Sequence, residues 1–150
     1  MVGVSLDGVR IPLSRRRVAD VARAVLRAER SGHVLLSIAF VTTRAIRGLN
    51  RTHLRRNAET DVIAFAHRQA GRGAPLIGDV YIAPDMARSA AAALGITLRE
   101  ELLRLVVHGT LHITGHDHPE KHRERSAMWK RQERLVRAES RKPRAESRRS

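Results

Sequence analysis

The chain has no cysteine and few aromatic residues, and both absences limit its fold and function. Without cysteine it forms no disulfides and no thiolate zinc cluster, and it fits a reducing compartment. Aromatic residues make up 3% of the sequence, so we expect an aliphatic core and no stacking platform for several nucleic-acid bases. The sequence has no run of eighteen apolar residues and no signal-peptide pattern in residues 1–7, which predicts a cytoplasmic protein without a membrane partner.

Positive charge is in large excess. The 150 residues include 29 Lys and Arg against 15 Asp and Glu, which gives a formal net charge of +14. Residues 119–150 hold 12 of the basic residues against 5 Glu, a net of +7. A field of this sign attracts polyanions, so the composition predicts a nucleic-acid partner.

The hydrophobic pattern predicts a single domain over residues 1–137 and a basic, disordered tail over 138–150. Strands are expected at 2–6, 33–41, 61–66 and 78–83. Helices are expected after Ser14 up to Gly32, over 43–54, from Pro84 to Gly95, after Thr97, and from Pro119 onward. Thr97 and Glu100 form a capping box, and the helix that follows them is apolar on all sides, which predicts a buried helix.

Three histidines have the spacing of a metal site: His108 and His112 on that buried helix, and His118 after it. Residues four apart share one helix face, so His108 and His112 can bind one ion. Gly115 tolerates the left-handed conformation that ends a helix, and the reversal would return His118 as a third ligand. Three histidines with an open fourth position are typical of catalytic zinc, so the pattern predicts one Zn²⁺.

The same histidine spacing occurs in metzincin proteases, where a glutamate after the first histidine is the general base. Gly109 occupies that position here, so the pattern favours a metal-activated water acting on a substrate other than a peptide. The base is not identified by the sequence. Asp117 is the nearest carboxylate and could either accept a proton or orient an imidazole, and Asp61 and Asp79 carry the same ambiguity. His116 is a further candidate as a general acid.

Four segments together carry a resemblance to a known family: His108-Gly-Thr-Leu-His112-Ile-Thr-Gly-His-Asp-His118, Leu49-Asn50, Thr60-Asp61-Val-Ile-Ala-Phe65 and Gly78-Asp79-Val. Over residues 30 to 130 the chain resembles the YbeY family of bacterial endoribonucleases. The resemblance implies an α+β fold, with a small mixed four-stranded sheet, about five helices and a metal site on a buried helix. It also implies zinc-dependent cleavage of single-stranded RNA, in maturation of small-subunit ribosomal RNA and in ribosome quality control. The implied partners are ribosomal RNA or the ribosomal subunit.

The chain departs from the family at an arginine implicated in activity, which aligns with Leu54. Arg55 or Arg56 could replace it, because a guanidinium holds a phosphodiester in two-point geometry. A non-catalytic ribosome-assembly factor, with zinc stabilising the fold and the basic tail binding ribosomal RNA, is the alternative function. A metal-dependent hydrolase of small molecules or peptides is a third possibility that Gly109 and the charge disfavour. The sequence determines neither the cleavage site nor the oligomeric state.

Overall fold

The computed structural model describes residues 1–54, 60–67, 71, 73–115 and 127–141. In these residues the chain forms four strands and five α-helices. They are β1 (Val2–Leu6), α1 (Arg15–Ala28), β2 (Val34–Phe40), α2 (Thr43–Leu49), β3 (Val62–His67), β4 (Leu76–Ile82), α3 (Pro84–Leu94), α4 (Leu98–Ile113) and α5 (Ala127–Ser140). The expected α+β class, with four strands and five helices, is confirmed.

Side-chain caps begin the two helices for which the sequence predicted them. Ser14 accepts a hydrogen bond from the Arg17 amide at 3.0 Å, and Thr97 accepts one from the Glu100 amide at 3.1 Å. Each oxygen satisfies a backbone donor that has no partner inside the helix. Helix α3 ends at a glycine. Gly95 follows its last residue and adopts a φ of 70°, which a glycine reaches without steric cost.

The sheet has the strand order β1-β2-β4-β3. Strands β1, β2 and β4 are parallel, and β3 is antiparallel to β4 at the edge. The chain passes through α1 between β1 and β2, as parallel neighbours require a crossover. Side chains alternate between the two faces, so Gly78 and Val80 of β4 point to one face and Asp79 points to the other.

The larger hydrophobic core lies between one face of the sheet and helices α1 and α4. Ten of the sixteen residues of α4 are buried, which confirms the predicted core helix. A smaller cluster on the opposite face includes Ile46 of α2, Ile63 of β3 and Ala83 before α3. None of the described helices is both long and apolar enough to span a membrane.

Two glycines allow α4 to approach β4 closely. A Cβ at Gly109 would lie 2.6 Å from Cγ1 of Val80, and a Cβ at Gly78 would lie 2.5 Å from Cγ2 of Ile113. Real Cβ atoms do not approach other atoms this closely. The glycine after His108 therefore faces the sheet, and no glutamate could replace it without moving the helix.

The ends of two predicted segments differ from the structure, and two further predicted positions lie outside the described residues. The expected helix over 43–54 is α-helical to Leu49 and continues as a π-helical turn over Asn50–Leu54. Helix α5 continues to Ser140, past the predicted start of the tail at 138, because Glu139 is buried against α1. Residues 142–150, the rest of that predicted tail, lie outside the described residues, as does Pro119, the expected start of the last helix.

Candidate metal centre and its polar support

The last two turns of α4 bring His108 and His112 together. Both side chains are half-buried, and their rings lie with centroids 4.6 Å apart at an interplanar angle of 72°. The Nε2 atoms of the two rings are 3.1 Å apart. The predicted pairing of these two histidines on one helix face is therefore present.

Gln132 of α5 fixes the orientation of the His108 ring. Its Oε1 lies 2.7 Å from Nδ1 of His108, and its own Nε2 donates to Oε2 of Glu133 at 3.2 Å. The carboxylate accepts only, so the amide nitrogen must face Glu133 and the amide oxygen must face His108. Nδ1 of His108 is then the donor. In the neutral ring, Nε2 therefore carries the free lone pair beside His112.

A chain of charged groups continues from Gln132 along α4. Arg104 donates to both carboxylate oxygens of Glu133, with Nε at 3.1 and 2.9 Å and Nη2 at 2.8 Å. Its Nη1 also lies 3.5 Å from Oε1 of Glu101, which is 5% exposed. Glu101, Arg104 and His108 follow at intervals of three and four residues, so they line one face of the helix.

Burial and charge shift the pKa of the two far members of this chain. Burial raises the pKa of the Glu101 carboxyl, although Arg104 opposes that shift, and the neighbouring charge of Asp61 adds to it. The hydrogen bonds with Glu133 raise the pKa of Arg104. Arg104 therefore stays charged. It holds the Glu133 carboxylate where that group accepts the hydrogen bond from Nε2 of Gln132.

Helix α5 is attached to α1 at both ends. Near its C-terminus, Arg17 donates to the backbone oxygen of Glu139 at 2.5 Å, and its Nη1 lies 3.6 Å from the Glu139 carboxylate. Near its N-terminus, Arg131 donates to Oε2 of Glu29 at 2.8 Å. Both pairs tie α5 to a core helix, so Gln132 is held on a rigid support.

The two imidazoles fit one zinc ion. Zinc binds histidine nitrogen at about 2.0–2.1 Å, so two ligands at a tetrahedral angle lie roughly 3.3 Å apart. The 3.1 Å between the two Nε2 atoms is close to that separation, and the Gln132 contact leaves the coordinating nitrogen of His108 without a proton. Within the described ranges no group of three His, Cys, Asp or Glu could hold an ion.

Several predicted residues cannot be placed relative to the pair. His118, the expected third ligand, lies outside the described residues, as do Asp117, His116, Arg55 and Arg56. The side chain of Leu54 is also outside the described part.

The structure places the other two candidate carboxylates differently. Oδ2 of Asp79 lies 2.8 Å from Nε2 of His67, on the face of the sheet away from α4. Asp79 is therefore not part of the histidine site. Asp61 is half-buried and lies near enough to Glu101 to raise its pKa, at the opposite end of the polar chain from His108.

Sequence reasoning did not identify Gln132. It lies 24 residues from His108 on another helix, and glutamine carries no metal-ligand signal of its own. The contact depends on how α5 packs against α4, and no spacing rule predicts that packing.

Comparisons with known proteins agree with the fold and identify the family. The family profile described as "Endoribonuclease YbeY" matches residues 9–139. A protein of that name from Myxococcus xanthus is 41% identical over 125 residues, which cover 81% of this chain and 42% of the relative. A protein of the same name from Sulfurihydrogenibium is 32% identical over 124 residues, and the match covers 82% of this chain and 82% of the relative. That from Geobacter sulfurreducens is 38% identical over 112 residues, 73% of this chain and 75% of the relative.

A solved structure shares the fold. The solution structure of a Thermotoga maritima protein superposes with a TM-score of 0.64, and the match covers 93% of this chain and 89% of that one. Its sequence is 24% identical, so it supports the architecture alone. The chain spans less than half the length of the Myxococcus relative but most of the length of the other two relatives.

Proposed function

Because the chain belongs to the YbeY family of endoribonucleases, we propose that it is a zinc-dependent endoribonuclease specific for single-stranded RNA. Its proposed role is maturation of small-subunit ribosomal RNA and ribosome quality control, in the cytoplasm. The observation that carries the metal-dependent part is the His108–His112 pair, with Nε2 atoms 3.1 Å apart and the outer nitrogen of His108 held by Gln132.

The zinc would be held by His108, His112 and His118. When bound, such an ion stabilises negative charge on the attacked phosphate and makes water acidic enough to act as a nucleophile near neutral pH. Oε1 of Gln132 accepts a hydrogen bond from Nδ1–H of His108, so the lone pair of Nε2 is available for coordination. Gly109 places no carboxylate beside the pair, which separates this chemistry from that of the metzincin proteases.

Two further residues are proposed to act on the phosphodiester. Arg55 would hold its non-bridging oxygens, in the role of the arginine that Leu54 replaces. Asp117, between His116 and His118, would accept a proton from the nucleophile or orient a neighbouring imidazole. The net charge of +14 supports an RNA substrate, because it attracts the phosphate backbone from a distance.

The experiment that tests this function compares the wild-type chain with His112→Ala on single-stranded and double-stranded ribosomal RNA fragments, with and without a chelator. His33→Ala is the matched control, since His33 is exposed and far along the chain from α4. We expect cleavage of the single strand by the wild type and by His33→Ala. The chelator and the His112 substitution should each abolish it while RNA binding persists.

Two other results would contradict this proposal, the first its catalytic part and the second its metal centre. Zinc and RNA binding without cleavage by the wild type would support the assembly-factor alternative, and Leu54→Arg would then be the first change to make. Cleavage that survives both the chelator and His112→Ala would reject the metal centre.

A further inference from the structure

The outward face of α5 carries a continuous row of positive charge. Lys130, Arg134 and Arg137 of α5, and Arg141 directly after its last residue, are all exposed and follow at intervals of four, three and four residues. Residues with this spacing lie on one side of a helix, and the rise of about 1.5 Å per residue places Lys130 and Arg137 about 10 Å apart along its axis. We call these four residues the α5 basic row.

The two acidic residues of α5 are each bound to another helix. Glu139 is 5% exposed and is bound by Arg17 of α1. Glu133 lies beside the row, at helical spacing from Lys130 and Arg137, but its carboxylate is bound by Arg104 of α4. The other exposed positions of the helix are Ala127, Ala138 and Ser140. On this helix, therefore, no exposed acidic side chain offsets the charge of the α5 basic row.

An exposed charged face is often merely solvated. In such a face, opposite charges usually alternate at helical spacing, because like charges three or four residues apart repel one another. Here every successive pair in the row is of like sign, while the two acids that could separate them are bound to other helices. The row is therefore a concentrated cationic surface rather than a mixed one.

We propose that the α5 basic row is a binding surface for the phosphodiester backbone of an RNA strand, separate from the histidine pair. This inference rests on the proposed function in taking RNA as the substrate. Lysine and arginine side chains commonly contact phosphate oxygens, and such contacts supply affinity without reading the base sequence. A membrane surface is the less suitable polyanion, because an interfacial helix needs large apolar side chains beside its charges and the row has alanine and serine there.

The row lies on the opposite side of α5 from the catalytic candidates. Gln132, which contacts His108, falls between Lys130 and Arg134 in sequence and is 2% exposed. The α5 basic row and the histidine pair are thus separated by about one helix diameter, 10–12 Å. Three or four stacked nucleotides, at about 3.4 Å each, span that distance. One RNA strand can therefore contact the row and enter the site, whereas a very short oligonucleotide cannot.

A matched pair of triple variants tests this surface. The row variant carries Arg134→Gln, Arg137→Gln and Arg141→Gln. The control variant removes the same charge from exposed positions elsewhere and carries Arg10→Gln, Arg44→Gln and Arg88→Gln. Glutamine has nearly the same helix propensity as arginine, so α5 should keep its structure, and circular dichroism checks this.

Binding is measured with chelator present, so that cleavage does not consume the RNA, on a single-stranded 30-nucleotide RNA at 50 to 200 mM salt. Three lost phosphate contacts should reduce the slope of log affinity against log salt by about 2, at roughly 0.7 per contact for single strands. We expect the row variant to bind at least tenfold more weakly than the control variant at 0.1 M salt. With zinc present, the row variant should have a raised KM for the long RNA and an unchanged kcat/KM for a dinucleotide, which is too short to reach the row from the site.

Equal losses in the two variants would overturn the proposal, since the effect would then come from net charge and not from this surface. Anionic lipid vesicles that displace the RNA at equal phosphate concentration would also overturn the assignment to RNA. A wild-type chain that binds RNA through the row but never cleaves it would keep this proposal and reject the nuclease function. A wild-type chain that binds no RNA would reject both.

Discussion

Nδ1 of His108 lies 2.7 Å from Oε1 of Gln132, so a residue of α5 sets the orientation of an imidazole on α4. The contact joins residues 24 positions apart, and it exists only because α5 docks against α4 and α1. The geometry of the candidate metal centre therefore depends on helix packing outside the histidine motif.

Gln132→Leu is expected to weaken zinc binding by about 10- to 100-fold, because outer partners of histidine ligands typically contribute that much to metal affinity. Leucine keeps much of the volume of the glutamine side chain but cannot accept the hydrogen bond from Nδ1–H of His108. A chelator competition titration measures the affinity, and nitrogen chemical shifts of His108 in the metal-free protein report which ring nitrogen carries the proton. Gln132→Glu keeps an acceptor and should recover part of the affinity. Equal affinity in wild type and Gln132→Leu would remove Gln132 from the site.

Gly109→Ala is expected to destabilise the fold by about 1–3 kcal/mol, the usual cost of overpacking a core. The added Cβ would lie 2.6 Å from Cγ1 of Val80, a stiff side chain on β4. Urea denaturation measures the free energy of unfolding. Gly48→Ala in α2 is the matched control, because nothing lies within 4 Å of its Cβ position, and it should be neutral or stabilising. Val80→Ala in the Gly109→Ala background should recover part of the loss, and no recovery would argue against this contact.

Arg17→Met is expected to cost about 3–5 kcal/mol of stability, because it removes the guanidinium that pairs with the buried Glu139 carboxylate. The two side chains are 3% and 6% exposed. Arg23→Met removes a comparable pair with Asp20, but those side chains are 47% and 34% exposed, so the cost should be below about 1 kcal/mol. Thermal or urea unfolding of both variants measures the difference. Similar small losses in the two would mean that the buried pair does not anchor α5.

The raised pKa of Glu101 predicts a specific pH dependence of stability. A carboxyl whose folded pKa lies above its unfolded value binds protons more tightly in the folded state. Its contribution to stability is therefore greatest at pH values below the ordinary pKa of 4.5 and declines as the pH rises through the raised folded value. Glu101→Gln removes this decline. The stability of Glu101→Gln, measured as its free energy of unfolding minus that of the wild type, should accordingly be higher at pH 7 than at pH 4.5. The opposite trend would contradict a raised pKa of Glu101 in the folded protein.

Local signals were sufficient to predict most of the fold. Ser14 and Thr97 predicted the starts of two helices, and Gly95 predicted the end of a third. The apolar sequence around His108 predicted a core helix. The pairing of His108 and His112 followed from helix periodicity. These features depend on neighbours three or four residues apart, where geometry is nearly fixed.

Features that depend on packing between distant segments were not predicted. The contact of Gln132 with His108, the ion pair of Arg17 with Glu139 and the contact of His67 with Asp79 all join separate elements. The close approach of α4 to β4 also explains why a glycine follows His108, since no side chain fits there. From the sequence alone, Gly109 indicated only that the general base of the metzincin proteases is absent. The role of His118 as third ligand stays a prediction.

The most direct test of the central claim is the initial rate of cleavage of a single-stranded ribosomal RNA fragment, measured as zinc is added to metal-free protein. We expect no cleavage without zinc, a rate that rises in proportion to the zinc added, and saturation at one ion per chain. The same titration on His108→Ala should give no cleavage at equimolar zinc. Cleavage by the zinc-free protein, or an unchanged titration curve for His108→Ala, would contradict the proposal that the histidine pair on α4 is the catalytic metal centre.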